Sequence, residues 1–259
     1  MIKNYFKIAF RNLAKHKVYS AINVAGLAAG IAACLLIFVV VKFELGYNTG
    51  EKNYHRIYRV VTDTKNGDGS TAYNPGIPAP AFEALKTDFP QFEKIIELNA
   101  TGGNQVTILG DNPNAPIASS KKIIEDNTII FTQPAYFEIF DAVWLSGSAK
   151  SLSEPGNIVL DKTTAIKYFG DWKNATGKFL RIDNAMLVKV SGVVEDAPSN
   201  SDFPVKMFIS HDMLKQYGNL YHYSKEWGSL SSSNQVYVLL PAHSDRDYQL
   251  HVVQLWQKN

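Results

Sequence analysis

The stretch SAINVAGLAAGIAACLLIFVVVKFELGYN, residues Ser20–Asn48, carries no charged side chain before Lys42. Counted back to Val18, the chain as far as Val41 holds no ionisable group except Tyr19 and Cys34. About 24 residues at ~1.5 Å each make a helix of ~36 Å, enough to cross ~30 Å of hydrocarbon with some tilt. A secretory signal has a shorter apolar core, roughly 7–15 residues, followed by a small-residue cleavage site, and no convincing site of that kind follows here. Ile31-Ala32-Ala33-Cys34 has the form of a lipoprotein cleavage box, but a lipidated cysteine leads into a polar linker, and here Leu35, Leu36, Ile37 and Phe38 follow. Residues 18–43 therefore read as a retained transmembrane helix.

The flanks orient it. Upstream lie Lys3, Lys7, Arg11, Lys15 and Lys17 with no acid, while Glu44 and Glu51 follow the run. An excess of cations marks the cytoplasmic side, so the N-terminus is expected in the cytoplasm and everything after about residue 44 outside. Lys3, Lys7, Arg11 and Lys15 recur every four residues, with Ile2, Phe6, Ala9, Phe10 and Leu13 on another face. Residues 1–17 thus read as a basic amphipathic helix lying on anionic lipid, each cation contributing roughly 1 kcal/mol near such a surface. Gly26 and Gly30 form a G-x-x-x-G beside Ala25, Ala29 and Ala33, a groove where a second helix backbone could pack.

The bulk numbers exclude several classes. The 259 residues carry a net charge of +2 without a concentrated basic patch beyond the N-terminal helix, so nucleic acid is not an expected partner. The single cysteine, Cys34, permits neither an intrachain disulfide nor a cysteine zinc site.

Beyond residue 44 the pattern is that of a water-facing α+β domain. Strands are expected at 56–61, 92–98, 105–109, 122–124, 128–132, 157–160, 179–182, 187–194 and 235–240, and turn clusters such as Lys65–Ser70 separate them. Short helices are expected at Pro80–Lys86, stopped by Pro90, at Pro134–Phe140 with Tyr136, Phe137 and Phe140 inward, and at Asp212–Tyr217. Another runs from Lys162 to Phe169, capped by Asp161 and closed by Gly170. Asp183-Asn184 joins two strands as a hairpin. No regular strand–helix alternation appears, so a doubly wound sheet is not expected.

No catalytic, cofactor-binding or metal-ligating set emerges. Gly177-Lys178 lacks the upstream glycine of a phosphate loop and has Phe179 where Ser or Thr would hold magnesium. Ser119-x-x-Lys122 stands without the companion boxes of an acylase, and no G-x-S-x-G occurs. His55, His211, His222, His243 and His251 fall at spacings that suit no metal pair on one face, and His211-Asp212 reads as helix-start capping. Asp63, Asn66 and Asp68 read as a solvated turn. Trp144, Trp172, Trp227 and Trp256 are dispersed, as core or partner contacts would be.

Several stretches taken in order resemble one family, the permease subunits of ABC transporters related to the macrolide exporter MacB and the division protein FtsX. In the first helix the matching positions are Arg11, Asn12, Leu13, Ser20, Ile22, Asn23, Gly26, Leu27 and Gly30, followed by Glu44–Asn48 and Arg56–Val60. Next come YFEIFD, GNIVLDKTTAIKYFGDW, GKFLRID, VSGVVEDAPSNSDF and YVLLP, in the family's order over residues 3 to 241. Asp202-Phe203 departs mildly from the Ser-His that relatives often carry there.

The resemblance implies a MacB-like periplasmic core domain at 44–241 and the start of a stalk or tail at 242–259. It also implies a shortened form, since relatives continue into further FtsX-like membrane helices. As a permease subunit in the bacterial inner membrane, the chain would itself hydrolyse nothing and need no cofactor. It would transmit motion from a separate ABC ATPase to the outer domain, for efflux or for lipoprotein or envelope substrates. It would dimerise with itself or a paralogous permease, and Lys3, Lys7, Arg11 and Lys15 would meet lipid or the ATPase. The alternative is a single-pass anchored periplasmic sensor or binding module.

Overall fold

The computed structural model describes residues 2–47, 52–126, 129–198, 200–201 and 205–242, so Trp256 and the expected stalk lie outside the described residues. The chain forms two compact units, one from residues 1–48 and one from 49–259. The first is two helices, α1 (Ile2–Lys15) and α2 (Lys17–Leu45).

The second unit is built on an 11-stranded sheet. Its strands are β1 (Ile57–Val60), β4 (Lys94–Thr101), β5 (Asn104–Gly110), β6 (Lys121–Glu125), β7 (Ile129–Thr132), β8 (Trp144–Ser146), β9 (Asn157–Asp161), β10 (Phe179–Ile182), β11 (Met186–Val194), β12 (Met207–Ser210) and β13 (Asn234–Leu239). A separate hairpin, β2 (Thr62–Lys65) and β3 (Thr71–Asn74), stands off it. The order across the sheet is β1-β13-β4-β7-β12-β9-β11-β10-β5-β6, and β8 shares one edge of the long β11 with β10. Only β12 with β7 and β9 with β11 run parallel among the described pairs.

Side chains on successive strand residues point to opposite faces, and the central strands obey this while burying both. From β7, β9 and β12, residues Ile129, Phe131, Ile158, Leu160, Met207 and Ile209 enter one apolar cluster, and Ile130, Val159 and Phe208 enter another. Helices cover both sides. The helices α5 (Lys162–Phe169) and α6 (His211–Gln216) bury Ala165, Tyr168, Met213 and Leu214 against the first cluster. The short helix α4 (Tyr136–Ile139) buries Tyr136, Phe137 and Ile139 in the second, with Phe140 half-buried beside it. A third cluster joins α3 (Pro80–Asp88), through Ala81, Phe82 and Leu85, to Val236 and Val238 of β13.

Local chemistry sets the element ends. The Asp161 carboxylate accepts the Thr164 N–H at 2.7 Å as the N-cap of α5, and Gly170 closes that helix at φ 81°. Burial raises the Asp161 carboxyl pKa and the nearby Asp196 charge adds to this, while the Thr164 hydroxyl and N–H pull the other way. In the β10–β11 hairpin, Asp183 and Asn184 sit at φ 51° and 56°, the left-handed pair that a tight turn of this hand requires. The Asp183 carboxylate accepts from Asn104 Nδ2 at 2.7 Å, Gln105 N at 2.8 Å and Tyr221 Oη at 3.0 Å, tying the turn to β5.

Two predictions follow from this geometry, both read as unfolding of the whole chain in detergent. A Cβ at Gly76 would stand 1.9 Å from the Ser231 carbonyl oxygen and 2.7 Å from that of Asn234, whereas one at Gly67 meets nothing within 4 Å. Gly76→Ala is expected to cost about 1–3 kcal/mol or more by overpacking, with a lower denaturant midpoint, and Gly67→Ala to leave the midpoint nearly unmoved. Asp161→Ala is expected to cost ~1 kcal/mol of cap stability, and Asp161→Asn much less because Asn also caps. Since folding raises the Asp161 pKa, its contribution is complete below the unfolded value of 3.8 and lost as pH rises through the folded value. Asp161→Asn should therefore gain on the native sequence between acid and neutral pH, which paired denaturation curves would measure.

Candidate functional site

Helix α1 ends at a break: His16 takes φ −113° and ψ 58°, and α2 starts at Lys17. The freed carbonyls find partners across the break, Ser20 Oγ donating to the Leu13 oxygen at 3.1 Å and Ser20 N to the His16 oxygen at 2.9 Å. Lys7, Arg11 and Lys15 are exposed along α1 at one-turn intervals; Lys3 lies in the same helix, its side chain outside the described residues.

No residue of α2 is buried, although it is long and apolar enough to cross a membrane: Leu27 is 67% exposed and Phe38 63%. Such side chains in water forfeit about 25 cal/mol per Å² of apolar surface, so bilayer or a partner helix is their natural surround. A Cβ built on Gly26 or Gly30 meets nothing within 4 Å, so the small-residue groove is not filled by this chain's described residues.

In the second unit the polar feature is a cleft of about 780 Å³ between α3 and α6, lined by residues that include Phe82, Lys86, Glu97, His211, Tyr223 and Lys225. Glu97 is its unusual member. It sits in β4 on the face shared by Ile95, where the strand pattern calls for an apolar residue, and is 2% exposed. Its backbone is fixed by Gln133 Oε1, which accepts the Glu97 N–H at 2.9 Å, and by Thr132 Oγ1, which donates to the Glu97 carbonyl at 3.1 Å.

The Glu97 carboxyl faces His211, the first residue of α6 and itself 5% exposed, with Nε2 3.1 Å from Oε2. That separation suits an ion pair, yet Nε2 makes no aligned hydrogen bond. Tyr223 Oη reaches the other oxygen at the long distance of 3.5 Å. Burial, then the Glu97 charge and this contact, drive the Tyr223 phenol well above its ordinary range and keep it a neutral donor. His211 therefore does not cap α6, as the sequence suggested; no side chain caps that helix, and the imidazole turns to Glu97 instead.

The other residues with suggestive chemistry are dispersed into structural work. Lys178 Nζ pairs with Asp111 at 2.6 Å, Ser119 Oγ donates to the Pro116 carbonyl at 3.3 Å, and Asp68 accepts both polar hydrogens of Ser70 in a turn. Trp144 and Trp172 pack on the core, while Trp227 is 60% exposed. Among the described residues no three His, Cys, Asp or Glu side chains gather as a metal site would require.

An N-terminal helix long and apolar enough to cross a membrane is followed by this α+β domain. Residues 20–248 match the family model of the MacB-like periplasmic core domain, and the chain belongs to that family, the periplasmic domain of ABC transporter permeases. Solved structures share the fold. A domain assigned to a permease protein from Porphyromonas gingivalis superposes with a TM-score of 0.61 at 18% identity, covering 80% of this chain and 82% of that one. The periplasmic region of MacB from Actinobacillus actinomycetemcomitans gives a TM-score of 0.53 at 14% identity, covering 82% of this chain and 85% of that one. No curated protein matches the sequence.

Proposed function

We propose that this chain is the membrane subunit of an ABC transporter, transmitting motion driven by ATP on a separate ATPase to its periplasmic domain, for efflux or for lipoprotein and other envelope substrates. The observation that carries the reading is the family match over residues 20–248, which takes in most of α2 as well as the domain. In this reading the boundaries are 1–17 for the basic foot, 18–43 for the span, 44–241 for the periplasmic domain and 242–259 for the start of a stalk or a tail.

The physical requirements of a transmitter are a stiff rod and a stiff load. A continuous α2 of 29 residues supplies the first, and a sheet with apolar clusters on both faces supplies the second. A displacement at the cytoplasmic end then passes on rather than dissipating, because packed cores move between discrete arrangements. Lys3, Lys7, Arg11 and Lys15 meet the anionic leaflet or an acidic surface of the ATPase. Gly26 and Gly30 receive a helix of a second copy or a paralogous permease.

A single-pass sensor has the same topology, and the polar cleft is the feature that favours it. Co-purification from detergent separates the two readings: an ABC ATPase is expected to accompany the transmitter. The paired reversal Lys7→Glu with Arg11→Glu is expected to abolish membrane assembly or stimulation of that ATPase. Full stimulation and normal membrane recovery of the double variant would refute the role given to these cations.

A further inference from the structure

The cleft between α3 and α6 holds a buried His211 Nε2 that makes no hydrogen bond among the described residues and lies 3.1 Å from the buried Glu97 Oε2. Glu97 is 2% exposed and His211 5%, so water does not solvate either freely. A carboxylate can accept about four hydrogen bonds. Among the described residues the Glu97 carboxyl receives one side-chain hydrogen bond, from Tyr223 at 3.5 Å, beside the unaligned contact with His211. A buried charge so poorly paired is costly, and the cost falls when a donor enters.

We propose that the cleft binds a primary ammonium group, carried by a peptide N-terminus or a small alkylamine and held between the Glu97 carboxylate and the His211 imidazole. Glu97 Oε2 and His211 Nε2 are 3.1 Å apart, close enough for one –NH₃⁺ to donate to both at once. In that arrangement His211 carries its proton on Nδ1 and offers the Nε2 lone pair. The ammonium then supplies one hydrogen bond to Glu97 Oε2 and one to the otherwise unpartnered His211 Nε2. Tyr223, a neutral donor, stays on the remaining oxygen.

The rest of the lining selects what the ammonium may be attached to. Phe82, Ile95 and Leu152 offer apolar contact, and the volume of about 780 Å³ admits a ligand of several residues. Lys86 and Lys225 line the same cleft and have no ion pair among the described residues, whereas Lys215 is paired with Asp212 at 3.2 Å. A ligand with an anionic group beyond its ammonium, as in a short peptide, can meet these lysines. A bare alkylamine cannot.

The test is titration calorimetry on the purified whole chain in detergent with trialanine, N-acetyl-trialanine and butylamine. No ATPase is present, so the result stands or falls apart from the transmission reading. Saturable binding of trialanine, weakened tenfold or more by N-acetylation and by Glu97→Gln, is the expected result. Binding of butylamine but not trialanine would support the ammonium site and assign it to small amines. The contrast between the acetylated and free peptides uses the native chain and needs no variant to fold; His211→Asn, expected to weaken trialanine as well, is a second check. The proposal is overturned if neither amine binds at millimolar concentration, if N-acetyl-trialanine binds as well as trialanine, or if folded Glu97→Gln binds trialanine unchanged.

Discussion

Helix α2 runs for 29 residues, uncharged and largely apolar from Val18 to Val41, and none of its residues is buried. Its backbone hydrogen bonds are closed within the helix, so it needs nothing from the solvent, and its surface suits hydrocarbon as it does not suit water. Cations precede it and acids follow, so its two ends carry unlike charge. Once the helix is in the bilayer, the rest of the chain divides into a short basic foot and a large water-facing domain. Every functional statement about the domain depends on that division.

The domain's own stability has a different source. Its central strands β7, β9 and β12 bury residues on both faces, so the sheet is packed like the middle layer of three. Around that middle, polar groups are fixed by local bonds: Asp161 under α5, Asp183 inside the hairpin turn, and Lys167 Nζ and Tyr168 Oη, at 2.5 Å and 2.8 Å, on the buried Glu125 carboxylate. Glu97 breaks this rule, for its carboxyl is buried and its partners are poor. The exception lines the cleft between α3 and α6.

Much of this was legible in the sequence because short-range chemistry decided it. Asp161 and Gly170 bracket α5 as a cap and a left-handed stop should, and Asp183-Asn184 announces the β10–β11 turn. The long apolar helix is written in its own composition. The features that escaped have no local signature. Trp144–Ser146 and Met207–Ser210 are three and four residues long, too short for a period to show, and Met207, Phe208 and Ile209 are buried on both faces, so their strand lacks alternation. The β2–β3 hairpin is mostly exposed and polar, and only its Lys65–Ser70 turn stood out. Glu97 was invisible as a site residue because a charge in a strand ordinarily marks the solvent face, and His211 and Tyr223 come to it from more than a hundred residues away. The available signal was Glu97 in register with Ile95 on a core-facing row.

The division of the chain across the bilayer is tested most directly by side-specific labelling. In a Cys34→Ala background, Asn4→Cys and Asn66→Cys each place one thiol at an exposed position on either side of α2. A membrane-impermeant maleimide added to intact spheroplasts is predicted to label Asn66→Cys at once and Asn4→Cys only after permeabilisation, with the whole chain remaining in the membrane fraction. Labelling of Asn4→Cys in intact spheroplasts, or recovery of the Asn66-bearing domain as a soluble product cut from its helix, would contradict the account.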